Sequence, residues 1–287
     1  MKFSVTSYSF GHYQNPDELG ILGIIDKAAE LGFDGIEYAE GPWAKDAAPD
    51  LPEQIRERAA KCGIEIVALA VGADFLNGSN GDLDAEIERV KRWVDFAARM
   101  GAPKMRHDIT RGFTGRKYSI GYDDALPRCA QATRAITEYA AEKGIETMTE
   151  NHGFYSQDAA RVEKLINTVA HENFGALVDL GNFMCADEEP TKSVAIMAPY
   201  AIHVHAKDFL WKSGMDIDPG EGWFRTRGMN YLRGAIIGQG VANIYQSVQI
   251  LKKVGYDGYL TVEFEGAEDN LKGIRIGRDN LLRFIGK

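Results

Sequence analysis

The sequence is poor in cysteine, in histidine and in positive charge, and it has no long apolar run. Its three cysteines, Cys62, Cys129 and Cys185, are widely spaced, odd in number and without a CxxC pair. That pattern excludes a disulfide framework and a thiolate metal site, and it fits a reducing compartment. With 33 basic against 42 acidic residues, the net charge of −9 leaves no broad cationic surface for nucleic acid or anionic lipid. No stretch approaches the ~20 apolar residues of a membrane span. The first residues, Met1-Lys2-Phe3-Ser4-Val5-Thr6, carry one positive charge and no apolar leader run. The expectation is a cytoplasmic protein with a small-molecule partner and neither a nucleic-acid nor a membrane partner. A Ser/Pro-rich linker and a low-complexity tract are also missing, so nothing in the composition divides the 287 residues.

What is present is one unit repeated with variations: an amphipathic helix, a glycine, then a short apolar run. Leu31-Gly32-Phe33-Asp34-Gly35-Ile36 and Val254-Gly255-Tyr256-Asp257-Gly258-Tyr259 show it most clearly. The first glycine suits the left-handed position that ends a helix, and Asp-Gly turns the chain into a strand. Strands are expected at 3–8, 35–39, 64–71, 104–108, 145–150, 175–179, 201–206 and 259–264. Helical patterns lie near 17–31, 50–62, 82–100, 123–143, 156–170, 190–198, 243–254 and 268–285. Eight strands alternating with eight helices imply a parallel sheet that closes most simply into an α/β, (β/α)8 TIM barrel, one domain over 1–287. A doubly wound open sheet is the rival, but Ser7-Tyr8-Ser9-Phe10-Gly11-His12 after the first strand is no GxGxxG phosphate loop. The segment 209–240, rich in Gly, Trp and Arg, breaks the pattern and reads as a long loop over the C-terminal mouth, where barrel active sites are built.

Ionisable residues recur at the same end of four consecutive strands: Glu150, Asp179, His205 and Glu263. Strand side chains alternate in direction, so Leu260, Val262 and Phe264 face the helices while Thr261, Glu263 and Glu265 face inward. The same alternation puts His203, His205 and Lys207 inside, opposite Ile202 and Val204. Carboxylates crowded in a low-dielectric mouth repel one another by several kcal/mol at an effective dielectric of ~20, a conflict that a divalent cation resolves. The oxygen-rich set with one nitrogen suits one six-coordinate Mn²⁺, with Mg²⁺, Co²⁺ or Zn²⁺ as alternatives. Two open positions would take adjacent oxygens of a hydroxy-ketone, and the metal would stabilise the enediolate formed when Glu150 or Glu263 removes the α-proton.

The motifs Thr149-Glu150-Asn151-His152-Gly153, Val178-Asp179-Leu180-Gly181-Asn182, His203-Val204-His205-Ala206-Lys207-Asp208 and Val262-Glu263 resemble the xylose-isomerase-like TIM-barrel family of sugar isomerases and epimerases over the whole chain. The resemblance implies one divalent metal on Glu150, Asp179, His205 and Glu263. It also implies proton exchange by Glu150 and Glu263 on opposite faces of a carbohydrate, and assembly into a homo-oligomer or with an accessory subunit. Epimerases commonly carry a histidine where this chain has Asn182, and the long interval between His205 and Glu263 is more similar to the inosose dehydratase branch.

The reading is therefore a metal-dependent sugar or keto-sugar isomerase or epimerase. The alternative is a dehydratase or lyase acting on a keto-cyclitol or a 3-keto-glycoside, including C-glycoside cleavage, through the same enediolate. Two other classes are weighed. A multi-zinc apurinic endonuclease needs more histidines and a cationic face; a non-catalytic sugar-binding barrel would not need two opposed glutamates. Further candidates are His107 as an extra acid/base and Glu37, His152, His203 and Lys207 as substrate contacts. For Glu37 an ion pair across the barrel is an equal reading, for His107 and His203 a packed histidine, and for Lys207 and Asp208 a structural ion pair. Arg225 and Arg227 would clamp a carboxylate or phosphate or lie solvated in the loop. Trp43, Trp211 and Trp223 would wall a sugar face or pack the loops.

Overall fold

The computed structural model describes residues 1–115 and 121–286. Eight parallel strands close into a barrel: β1 Lys2–Thr6, β2 Gly35–Ala39, β3 Glu65–Val71, β4 Lys104–His107, β5 Glu146–Glu150, β6 Phe174–Asp179, β7 Ala201–Ala206 and, after an excursion, β11 Tyr259–Val262. Around them lie α1 Gly20–Glu30, α2 Leu51–Cys62, α3 Leu83–Met100, α4 Tyr122–Ala141, α5 Ala159–Val169, α6 Pro190–Met197, α7 Ile244–Lys253 and α8 Asn270–Ile285. This is the (β/α)8 barrel that the alternation predicts. Glycine ends the helices as expected: Gly63 and Gly101 take the left-handed conformation, and their N–H groups close the last turns of α2 and α3. Among the described residues no helix is long and apolar enough to cross a membrane.

The main core lies between strands and helices, where Val5, Ile36, Val178 and Leu260 meet Ile24, Val90, Leu165 and Val248. The barrel interior is layered instead. Low in it Lys104 Nζ donates to the Ile202 carbonyl at 2.6 Å, and Ala68, Met148 and Leu177 form a small separate cluster against which Ile202 packs. Strict alternation assigned Ile202 to the helix side. A register shift between Ala176 and Leu177, opposite Ala201 and His203, changes its direction. Above that cluster the interior turns polar.

Two expectations change. The first strand ends at Thr6, and Ser7–Gln14 forms tight helical turns with a kink at Gly11. The segment 209–240 is no irregular loop, because it holds a three-stranded antiparallel sheet ordered β8-β10-β9: β8 Asp208–Lys212, β9 Phe224–Arg225 and β10 Tyr231–Ala235. Tyr231 pairs with both Lys212 and Arg225 across this sheet. Phe224 and Arg225 line a cavity at the barrel mouth together with Lys207 and His152.

Candidate active site

Four neighbouring strands, β5, β6, β7 and β11, deliver Glu150, Asp179, His205 and Glu263 to one point. Each offers a ligand atom, and all four atoms lie within 4.8 Å of one another. Asp179 and His205 are partners in the β6–β7 register, and Thr261, two residues before Glu263, pairs with His205 across β7 and β11. The two glutamates stand at the ends of this row.

Each member is held by its own set of partners. Asp179 Oδ1 accepts from the backbone N–H groups of Gly181 and Asn182, both at 2.8 Å. Its Oδ2 is buried and has no hydrogen-bond partner among the described residues. Glu150 Oε1 accepts from the Asn182 amide at 2.8 Å, while Oε2 meets Arg106 at 2.7 Å. Glu263 Oε2 sits 2.8 Å from Lys207 Nζ and 3.1 Å from His205 Nδ1. The same imidazole nitrogen is 3.9 Å from both Glu150 Oε1 and Asp179 Oδ2. On the far side, His205 Nε2–H donates to the Glu37 carboxylate at 2.9 and 3.0 Å. That bond fixes the ring so that Nδ1 faces the quartet, the arrangement in which a carboxylate orients an imidazole ligand.

The electrostatics are those of a crowded acidic centre. Burial and the neighbouring glutamates raise the Asp179 carboxyl well above its ordinary value, against the pull of Lys207. Burial also pushes Glu263 up, but Lys207 and His205 prevail and hold it well below the carboxylate range. Burial opposes a charged Lys207, and four surrounding acids nevertheless raise it. An orphaned Asp179 oxygen, four converging donors of oxygen and nitrogen type, and a pre-oriented imidazole fit a divalent cation.

The remaining candidates divide. His152 and Lys207 line both cavities at the mouth, and Arg225 lines the outer one. His152 Nδ1 lies 2.8 Å from Asp108 Oδ1. Glu37 lines the inner cavity and also makes the ion pair across the barrel: both its oxygens are engaged by His205, one also by His203, and although burial pushes it up, the two imidazoles bring it down to about 2. His203 is fully buried, with Nε2 3.0 Å from Glu37 and 2.8 Å from Thr261 Oγ1, and lines neither cavity; it belongs to the barrel interior. His107 is corrected as an acid/base. It points to the helix side between Phe75 and Phe174, at ring distances of 5.6 and 6.2 Å, with Nδ1 on the Asp108 carbonyl. Arg227 is engaged by Asp158 at 2.8 Å and by the Ala186 carbonyl, so it fastens the loop. Asp208 forms no ion pair among the described residues; its carboxylate accepts from the backbone N–H groups of Phe209, Gly238, Gly240 and Ala242. The tryptophans pack elsewhere, Trp43 against Trp93 and Phe96 and Trp223 under Arg233, and Trp211 is half exposed.

Sequence reasoning missed Arg106 and Asp108, which pair at 2.7 Å beside Glu150. Alternation would have found them, because Met105 and His107 facing the helices require Lys104, Arg106 and Asp108 to face inward. The role of Asn182 in holding Glu150 was also missed, and no local signal marks it.

The sequence model of the family described as xylose isomerase-like TIM barrel matches residues 25–283. Among curated relatives, the inosose dehydratase of Klebsiella pneumoniae is 24% identical over 260 residues, covering 84% of this chain and 81% of its own. The 3-oxo-isoapionate decarboxylase of Pectobacterium atrosepticum is 22% identical over 245 residues, covering 84% and 77%. Among solved structures, L-ribulose 3-epimerase superposes with a TM-score of 0.75 at 16% identity over 99% of this chain and 94% of its own. The IOLI protein with a binding zinc atom superposes with a TM-score of 0.77 at 15% identity over 99% and 98%. The chain belongs to the xylose isomerase-like TIM barrel family.

Proposed function

We propose that this protein is a divalent-metal-dependent isomerase or epimerase that removes a proton α to a carbonyl of a sugar or keto-sugar. The observation that carries the reading is the row of Glu150, Asp179, His205 and Glu263, with a glutamate at each end. A cation held by these four, Mn²⁺ in this reading, would polarise the carbonyl and offset the charge that develops on its oxygen. Glu150 and Glu263 approach the cavity from different strands, so one takes the proton and the other returns it, to the neighbouring carbon in isomerisation or to the opposite face in epimerisation. Arg106 and Asn182 hold Glu150 in place, and Lys207 and His205 hold Glu263. Lys207 also faces the cavity and can donate to a substrate oxygen.

A second reading, elimination from a keto-cyclitol or keto-glycoside, is favoured by His152. Held by Asp108 and half exposed in the same cavity, it can supply the proton a leaving group needs. The dehydratase and decarboxylase relatives support it as well.

The test is deuterium uptake from solvent into ketoses, inososes and 3-keto-glycosides, followed by NMR. The expectation is exchange by the manganese-loaded protein and a fall of roughly 10³-fold in Glu150→Gln and in Glu263→Gln. Net isomerised product assigns the first reading and loss of water or aglycone the second. A metal content near zero after purification with manganese would sink both.

A further inference from the structure

Cations around the mouth are of two kinds. Arg106 is paired with Asp108 and Glu150, Lys207 with Glu263, and Arg227 and Arg161 with Asp158. Arg111 and Arg225 differ. Arg111, in the loop after β4, makes no hydrogen bond or ion pair with the described residues and lines both mouth cavities. Asp108, on which it acts across space, is already engaged by Arg106 and His152. Arg225, on β9, lines the outer cavity of about 420 Å³. Its Nη1 donates to the Met229 carbonyl at 2.7 Å, its Nη2 to the Tyr231 hydroxyl, and its guanidinium lies 3.5 Å from the Tyr231 ring centre. These neutral partners fix the position of the charge without neutralising it. Among the described residues, the only acid on that cavity wall is Glu265, which lies 3.7 Å from Lys207.

The outer cavity and the one over the quartet share Arg111, His152, Lys207 and Glu265, so a single molecule can occupy both. The net charge of −9 repels anions at long range, and screening within about 8 Å leaves recognition to local groups. We infer that the substrate carries an anionic substituent, a carboxylate or a phosphate, held by Arg111 and Arg225 in the outer cavity while its carbonyl end lies over the quartet. The inference names the substrate class of the function proposed above and rests on that reading. Paired guanidinium N–H groups match both anions. Arg227, the partner expected for Arg225 from the sequence, is replaced in this role by Arg111.

The test is calorimetric binding to the manganese-loaded protein of three probes: 5-keto-D-gluconate, D-fructose 6-phosphate and neutral D-fructose. At least one anionic probe is expected to bind tenfold or more tightly than D-fructose, and which one does so separates carboxylate from phosphate. Arg111→Gln and Arg225→Gln should each lower that preference about tenfold, the anionic probe losing more affinity than D-fructose and the loss deepening in the double variant. Arg111 is exposed, so its replacement leaves the fold intact; thermal melting checks Arg225→Gln, and Arg225→Lys should restore part of the preference. Equal binding of all three probes, or a preference that survives both substitutions, overturns the inference. Deuterium uptake is read separately: preference without uptake rejects enolisation and keeps the anion site, whereas uptake into D-fructose without preference does the reverse.

Discussion

His205 and His107 are both buried near the C-terminal ends of barrel strands, and their surroundings give them opposite chemistry. Burial disfavours the charged His205 ring, but Glu37 and Glu263 outweigh it and raise the imidazole well above its ordinary value. Burial pushes His107 down to about 4, and the Arg106 charge adds to it. One faces into the barrel among carboxylates; the other faces the helices between two phenylalanines. The difference is one of strand parity rather than of depth. On this barrel, an imidazole reaches the carboxylates of the interior only from a strand position with the parity of Glu150 and Glu263.

The largest test of that contrast is the pH dependence of stability. Because the folded value of His107 lies below that of a free imidazole, its contribution is complete above pH 6.5 and is lost as pH falls toward 4. The loss should reach about 3 kcal/mol. Urea denaturation of wild type and His107→Leu across that range should show the wild type losing that much more; equal losses would mean that His107 is not held neutral by the apolar layer. Next in size is the inner side. Glu37→Gln should weaken Mn²⁺ binding about 10- to 100-fold by calorimetry, because the carboxylate that orients His205 is gone. Unchanged affinity would reduce Glu37 to a space-filling residue. The smallest effects compare two threonines. Thr261, inside, bonds Ser4 and His203 at 2.6 and 2.8 Å, whereas the buried Thr149 hydroxyl, on the helix side, has no partner among the described residues. Thr261→Val should cost about 1 kcal/mol and Thr149→Val should be neutral or slightly stabilising, a difference of sign that thermal melting can read.

The fold was legible because glycine stops and apolar strands recur through the chain, and because local periodicity is what sets a barrel's elements. The four residues of the quartet were legible for the same reason, one per strand end. What escaped has a common cause, since it depends on contacts between distant segments. His107 has the residue type of an acid/base at a strand end, but Met105, two residues before it, gives it the parity of the helix side. Ile202 changed face at a register shift that no pattern within β7 announces. The strands within 209–240 were hidden because they are short and separated by stretches holding Gly220, Gly222 and Gly228. Arg227 and Arg225 are indistinguishable as sequence; what separates them is Asp158, 69 residues from Arg227, which pairs with it and leaves Arg225 without an acid among the described residues.

The Asp208 carboxylate, with its four backbone donors, joins the point where the chain leaves the barrel to the point where it returns. A Cβ at Gly240 would lie 2.2 Å from that carboxylate, so this closure admits no larger residue there. The chain between those two points is fastened again farther out, by Arg227 on Asp158 and by Thr226 and Asn230 on the Asp187 carboxylate. A segment held at its base and again near its tip keeps its three strands in place over the mouth, so that side chains between the fastenings can change while the barrel register stays as it is. The lining of the mouth is thus set by a unit distinct from the eight barrel strands, and it changes by altering that unit rather than by rebuilding strands.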